Sequence, residues 1–362
     1  MNFDLSDDQQ LFRSTVEKFV GTFDTAARHR LRESAHGYDL ERWRSLAGLG
    51  LIGSCVPEDC GGMGSSLGDL AVVGETLGRT ISADPWLENG FLPARSLANA
   101  GDKELLPSVI DGSKVVAAAL AERAMRYSLT PSATKAIADG NGFRLSGEKT
   151  FVLGGAIADA FIVSAACAGE TAYFLVPADA SGLDIQPYRL VDGSVAVELR
   201  FHATAVPADA RLAIAADRFG QTITLVRVLA SAEMVGLAQR LFDDTVAYTK
   251  EREQFGVPIG SFQALQHRMV ECYASLEQAR SMLWRVVLAD DQDTNVWAAQ
   301  VSGAKAFISE VALKIGREAV QMHGGMGITD ELAIGHAFKR LLLLEKLFGG
   351  RAEELSHYAR AA

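Results

Sequence analysis

Two segments carry residue types suited to gripping a phosphate-bearing ligand. The first reads Arg252-Glu253-Gln254-Phe255-Gly256-Val257-Pro258-Ile259-Gly260-Ser261-Phe262-Gln263. Arg252 can present a planar guanidinium fork to a phosphate, and Gln263 can hydrogen-bond a base or ribose edge. The same residues would also suit a plain helical hairpin, with Arg252 capping carbonyls and Phe255 in the core. The second segment reads Gln321-Met322-His323-Gly324-Gly325-Met326-Gly327-Ile328-Thr329. Its glycines let backbone approach a ligand closely. His323 reads more readily as a structural hydrogen-bonding residue than as a catalyst.

Helices must carry both segments. Ile223–Lys250, Gln263–Leu288, Asn295–His323 and Ile334–Leu347 each show apolar residues at helical spacing, and helices of this length pack as a bundle. Upstream, from about Val115 to Ala213, short β-type runs such as Phe161-Ile162-Val163, Ala172–Val176 and Val195–Leu199 alternate with Gly, Pro, Asp and Asn. Before these the pattern is helical again. Ser6 is a plausible N-cap with Gln9 at the capping-box position, and Leu40–Leu49 and Leu67–Leu77 are amphipathic. The expected fold is therefore α+β: an N-terminal helical domain over residues 1–113, a central antiparallel β-barrel-like domain over 114–213, and a C-terminal four-helix bundle over 214–362.

Composition bounds the function. The chain has 362 residues, 48% hydrophobic and 22% charged, which excludes disorder as the main state. A net charge of -10 argues against nucleic acid as the main partner. Leu341–Leu344 is a short apolar run stopped by Glu345 and Lys346, so no membrane span is expected. The acidic N-terminus lacks a signal pattern, and a cytoplasmic location is expected. Cys55, Cys60, Cys167 and Cys272 lack zinc spacing and read as free thiols, with no metal site.

Taken together, the two segments and the helix–β–helix order resemble the acyl-CoA dehydrogenase family of flavoproteins. Further marks are Pro57-Glu58-Asp59-Cys60-Gly61-Gly62-Met63-Gly64, Gly147-Glu148-Lys149-Thr150-Phe151-Val152 and Ala158-Asp159-Ala160. The resemblance covers essentially the whole chain. It implies FAD as cofactor and α,β-desaturation of an acyl-CoA thioester, in which a carboxylate removes the α-proton. It also implies an FAD site shared between two chains. One chain cradles the flavin ring through its β domain and supplies the base. The other holds the adenosine and pyrophosphate end, here through Arg252, Phe255, Gln263, Gln321, Gly324 and Gly325.

The two halves fare differently in this sequence. The nucleotide-gripping set is intact. On the ring side, Phe151 keeps the aromatic of the pattern, but Leu153 replaces the hydroxyl residue expected two positions on. The Thr-Glu-Pro-x-x-Gly-Ser turn is reduced to Leu120-Ala121-Glu122-Arg123-Ala124. The two positions at which the family carries its base hold Phe348 and Val226, and neither side chain takes a proton. A displaced base would have to be Glu233 or Glu345; otherwise Glu233 is a polar contact between packed helices and Glu345 a solvated charge.

Two readings follow from the resemblance. In one, the chain is the catalytically incomplete subunit of a heterotetrameric α2β2 enzyme acting on bulky thioesters such as steroid side chains. In the other, it is a self-sufficient homo-oligomer with a moved base. An electron-transferring flavoprotein is the expected electron acceptor in both.

Overall fold

The computed structural model describes residues 5–289 and 294–361. In chain order it contains α1 (Asp7–Val20), α2 (Thr25–Glu33), α3 (Leu40–Gly48), α4 (Leu67–Arg79), a π-helical turn at Trp86–Phe91, α5 (Leu92–Ala100) and α6 (Leu106–Ile110). Strands β1 (Val116–Ala119), β2 (Lys135–Asp139), β3 (Gly142–Leu153), β4 (Ala160–Cys167), β5 (Glu170–Pro177), β6 (Leu183–Arg189) and β7 (Val195–Pro207) follow. Then come α7 (Ala216–Glu251), the short strands β8 (Glu253–Gln254) and β9 (Val257–Pro258), α8 (Gln263–Val287), α9 (Asn295–His323), α10 (Ala333–Lys346) and α11 (Arg351–Ala361). The helix–sheet–helix order and the α+β class are those the sequence predicts.

The chain forms two compact units. The sheet unit comprises His29–Ser65 and Ala83–Val226. Its strands run in the order β1-β4-β2-β3-β7-β6, with β5 added on β4. The pairs β2–β3, β3–β7, β4–β5 and β6–β7 are antiparallel, as expected. In contrast, β1 lies parallel to β4, and β2 touches β4 in parallel at Lys135. The long segment between β1 and β2 imposes no hairpin, so β1 is free to enter beside β4 in parallel. Alternation along the strands sends Leu145, Val152, Phe161, Phe174, Val197 and Leu199 into one core.

The helical unit comprises the described residues of Met1–Arg28, Ser66–Ser82 and Arg227–Ala362. Local chemistry sets its helix starts. Ser6 and Gln9 form the predicted reciprocal capping box, and Ser66 with Asp69 forms a second. Helices α4 and α7 cross through glycine. A Cβ on Gly78 would stand 2.1 Å from the Glu233 carbonyl oxygen, and one on Gly236 1.9 Å from that of Glu75. Arg280 of α8 ties the same crossing by binding the Glu75 carboxylate and, at 2.8 Å, the Gln239 amide oxygen.

Helix α7 is long and apolar enough to cross a membrane by length and composition alone, but 83% of its most apolar window is buried within the protein. That is how the central helix of a packed bundle reads. Helix α11 is an addition to the four C-terminal helices expected. Glu354 is its buried residue, so it presents no apolar stripe for a periodicity argument to find.

Candidate functional site

Helix α7 ends beside a two-residue hairpin. Strands β8 and β9 pair as Glu253↔Pro258 and Gln254↔Val257, leaving Phe255 and Gly256 at the tip. Both have positive φ, +56° and +80°, which is the backbone of a type I′ turn. Glycine adopts it at no cost, whereas an aromatic residue there is an outlier. Phe255 is 93% exposed and touches Phe262 edge-on at 6.3 Å, so the alternative that places it in a core does not hold for this chain. Arg252 stands just before the hairpin with its side chain exposed. Among the described residues its guanidinium has no carboxylate partner. Gln263 opens α8 and is exposed; no side chain caps that helix start.

The second segment lies against the first. His323 is buried at the end of α9. Its Nδ1 donates to the Ala319 carbonyl at 2.8 Å, and its ring stacks on Tyr248 with centroids 4.2 Å apart. Tyr248 is one turn before Arg252 on α7, so this stack joins the two segments, and His323 takes the structural part predicted for it. Gln321, Gly324 and Gly325 are exposed beside it, and Gly324 turns at φ +61°. The fold thus presents Arg252, Phe255, Gln263, Gln321, Gly324 and Gly325 to solvent at one end of the helical unit.

The candidate carboxylates are engaged elsewhere. Glu233 receives both Arg340 Nε, at 2.7 Å, and Arg340 Nη2, at 3.1 Å, tying α7 to α10. Glu345, expected to be solvated unless it served as a base, is 6% exposed. Its carboxylate accepts the Arg351 backbone N–H at 2.9 Å and meets Lys346 at 2.9 Å. The solvated reading of Glu345 is therefore corrected: it closes the start of α11. Val226 is buried in α7, and Phe348 is half-buried at φ +53°.

The turn around Phe348 rests on a buried charge cluster that the sequence reading missed. Arg227 donates to the Phe348 carbonyl from Nε at 3.1 Å and from Nη2 at 2.9 Å. Lys305 donates to the carbonyls of Glu345, at 3.3 Å, and Gly349. Glu354, fully buried, lies 2.9 Å from Arg227 Nε and 3.9 Å from Lys305 Nζ, as ion-pair contacts rather than aligned hydrogen bonds. Burial pushes the Lys305 ammonium down to about 8, against the pull of Glu354. Gly349 must be glycine, since a Cβ there would meet Glu354 Oε1 at 2.1 Å. The available sequence signal was Lys305 itself, a cation between Ala304 and Ala306 on the buried face of α9.

The sheet unit holds the positions that the family resemblance implies for the flavin-ring side. Glu122 is buried and accepts the backbone N–H groups of Ser132, Ala133 and Thr134 at 2.8, 2.7 and 3.0 Å, and Lys149 Nζ at 2.9 Å. Burial alone would raise its carboxyl; the Ala133 amide and the Lys149 ammonium outweigh that and hold it down to about 2. Lys149 also reaches Ser164 Oγ at 3.0 Å. Glu122 is thus fully used in shaping its own loop. At the end of β3 the ladder to β7 breaks between Lys149 and Val152, and Phe151 sits at φ +56°. Leu153 is 8% exposed and carries no hydroxyl.

Family models for the N-terminal, middle and C-terminal domains of acyl-CoA dehydrogenases match residues 6–111, 117–203 and 217–361. The chain belongs to the acyl-CoA dehydrogenase family. Among similar proteins, acyl-CoA dehydrogenase IpdE2 of Mycolicibacterium smegmatis is 31% identical over 97% of each chain. The solved Tcur3481-Tcur3483 steroid acyl-CoA dehydrogenase G363A variant superposes with a TM-score of 0.85 and 30% identity, covering 98% of this chain and 96% of that one. The ChsE4-ChsE5 complex of Mycobacterium tuberculosis superposes with a TM-score of 0.89 and 27% identity, covering 99% and 98%. Solved chains of this fold include FAD complexes, and FAD is the cofactor of this acyl-CoA dehydrogenase. The fit to FAD divides between the two halves. An exposed guanidinium with no carboxylate partner among the described residues, an exposed aromatic and a glycine turn suit a pyrophosphate and adenosine. On the ring side, Leu153 offers no donor and Glu122 has no free acceptor.

Proposed function

We propose that this acyl-CoA dehydrogenase chain works as the incomplete subunit of a two-chain enzyme, lending its nucleotide grip to FAD seated in a homologous partner. FAD, when bound, supplies the hydride acceptor for α,β-desaturation of an acyl-CoA thioester. Arg252 neutralises the pyrophosphate, Phe255 packs on the adenosine half, and Gln263 and Gln321 hydrogen-bond nearby groups. Gly324 and Gly325 let backbone come close.

The observation that carries this reading is an asymmetry of state. Arg252 and Phe255 are exposed, and among the described residues Arg252 has no carboxylate partner, while the base positions hold Phe348 and Val226. A 93% exposed Phe255 held in a left-handed turn makes sense as a group awaiting another surface. The likeness to the ChsE4-ChsE5 complex, an assembly of two kinds of chain, supports an α2β2 heterotetramer. The likeness to a steroid acyl-CoA dehydrogenase supports a bulky, ring-bearing acyl group as substrate. An electron-transferring flavoprotein would accept the electrons.

The test is co-expression with a homologous chain that carries a base, followed by flavin counting. The expected complex holds FAD and desaturates, while this chain alone desaturates nothing. Anaerobic bleaching of the isolated chain by an acyl-CoA would establish instead a self-sufficient homo-oligomer.

A further inference from the structure

A side chain of β6 reaches across to the end of β3. Leu153 and Tyr188 both pair with Ala196 of β7, Leu153 from β3 on one side and Tyr188 from β6 on the other. The three form one row across the sheet and project from the same face. It is the face turned away from the barrel core, because the neighbouring pair Val152 and Val197 points into that core. Strands β6 and β3 are two spacings apart, roughly 9.6 Å. The Tyr188 side chain spans this gap: its hydroxyl oxygen accepts the Phe151 backbone N–H at 3.0 Å. To do so the phenol ring must lie over β7 at Ala196, a residue small enough to pass beneath it.

The break in the β3–β7 ladder explains why that N–H is available. Between Lys149 and Val152 the register shifts, so Phe151 has no partner on β7. Its backbone has gone to φ +56°, a conformation disfavoured for an aromatic residue. Tyr188 compensates by satisfying the displaced amide. The turn beyond is fixed as well. Asn89, fully buried in the π-helical turn, donates to the carbonyls of Val116 at 3.0 Å and Gly154 at 3.4 Å. Its Oδ1 sits where a Cβ of Gly154 would be, 1.7 Å from that point. The segment Phe151-Val152-Leu153-Gly154 is thereby held from both ends by groups of its own unit.

We infer that Tyr188 closes the flavin-ring position of this barrel, so that the chain binds FAD through its Arg252 side alone. The inference rests on the two-chain reading above and deepens it by naming the residue that keeps the second ring position shut. A ring seated on this face would have to displace the Tyr188 phenol and strand the Phe151 N–H.

The experiment compares the full-length chain with Tyr188→Phe, which keeps the ring and removes only the acceptor oxygen. Each protein is incubated with excess FAD, desalted and read for bound flavin, and hydrogen exchange at the Phe151 amide is followed in parallel. The expected result is that neither protein retains FAD, and that Phe151 exchanges about tenfold faster in Tyr188→Phe. Unchanged exchange would overturn the inference, because the amide would not be held by Tyr188. Retention of one FAD per wild-type chain would overturn it too, and loss of that FAD in Tyr188→Phe would show the phenol serving flavin rather than excluding it. The exchange readout needs neither a partner nor turnover, so failure to assemble with a homologous chain would sink the two-chain reading while leaving this result to stand by itself.

Discussion

Arg252 and Glu233 are both charged residues of the α7 region, and their surroundings give them opposite kinds of importance. Arg252 is exposed and has no carboxylate partner among the described residues, so Arg252→Ala should leave stability within about 0.5 kcal/mol of wild type. In the assembled enzyme the same change should weaken FAD retention by roughly ten- to a hundredfold, the loss of a charge-assisted contact to phosphate, read as flavin absorbance after desalting. Glu233→Gln should do the reverse. It weakens a partly buried bidentate pair with Arg340 and should cost about 1–3 kcal/mol in urea unfolding, with turnover per assembled flavin unchanged.

Glu122 gives a pH signature. Its carboxyl is depressed to about 2 from an ordinary value near 4.5, so the folded state binds the proton less readily than the unfolded state. The contribution is therefore complete above about pH 4.5 and disappears as pH falls towards 2, with a ceiling of about 3 kcal/mol. The stability gap between wild type and Glu122→Gln should narrow over that window in urea melts. Among residues, the exposed turn segment from Arg252 to Gln263 was legible because it is written locally in the sequence. Tyr188 and Glu354 were not, because their meaning depends on strands and helices brought together only by the fold.

Among the elements, α4 and α7 show how much of the helical unit depends on missing side chains. The backbone of each helix approaches Gly78 or Gly236 of the other more closely than a methyl group allows. Gly78→Ala should raise helix propensity and still destabilise by at least about 3 kcal/mol, visible as a lowered thermal midpoint and poor soluble yield. A gain in stability would mean that the crossing is looser than described. The amphipathic helices α7 to α10 were legible from their spacing, and so were strands β4, β5 and β7. Among the elements that escaped, two did so for clear physical reasons. Helix α11 buries a carboxylate in place of an apolar stripe. Strand β1 pairs in parallel with a strand that arrives much later in the chain, and no local turn announces that partner.

For the whole molecule, the sequence told the class and the order of parts, because composition and periodicity change where the chain passes from helices to sheet and back. That the two expected base positions carry no titratable side chain was also legible, since Phe348 and Val226 cannot titrate whatever their surroundings. The contact between Tyr188 and the Phe151 backbone was hidden. In co-purified complex, flavin should number one per two chains, counted from absorbance against protein concentration. Two per pair would mean that both barrels are loaded.

The tip of the β8–β9 hairpin has a consequence for the cell as well as for the site. A benzyl group held out in water by a tight turn is the sort of feature that quality-control machinery grasps, and a molecule left without its companion would wear it permanently. Under the two-chain proposal, supply of this polypeptide should follow the companion's abundance, with surplus copies cleared and matched copies surviving. Making Phe255 polar should lengthen the lifetime of the lone chain while impairing its pairing, which turns one aromatic into a sensor of stoichiometry.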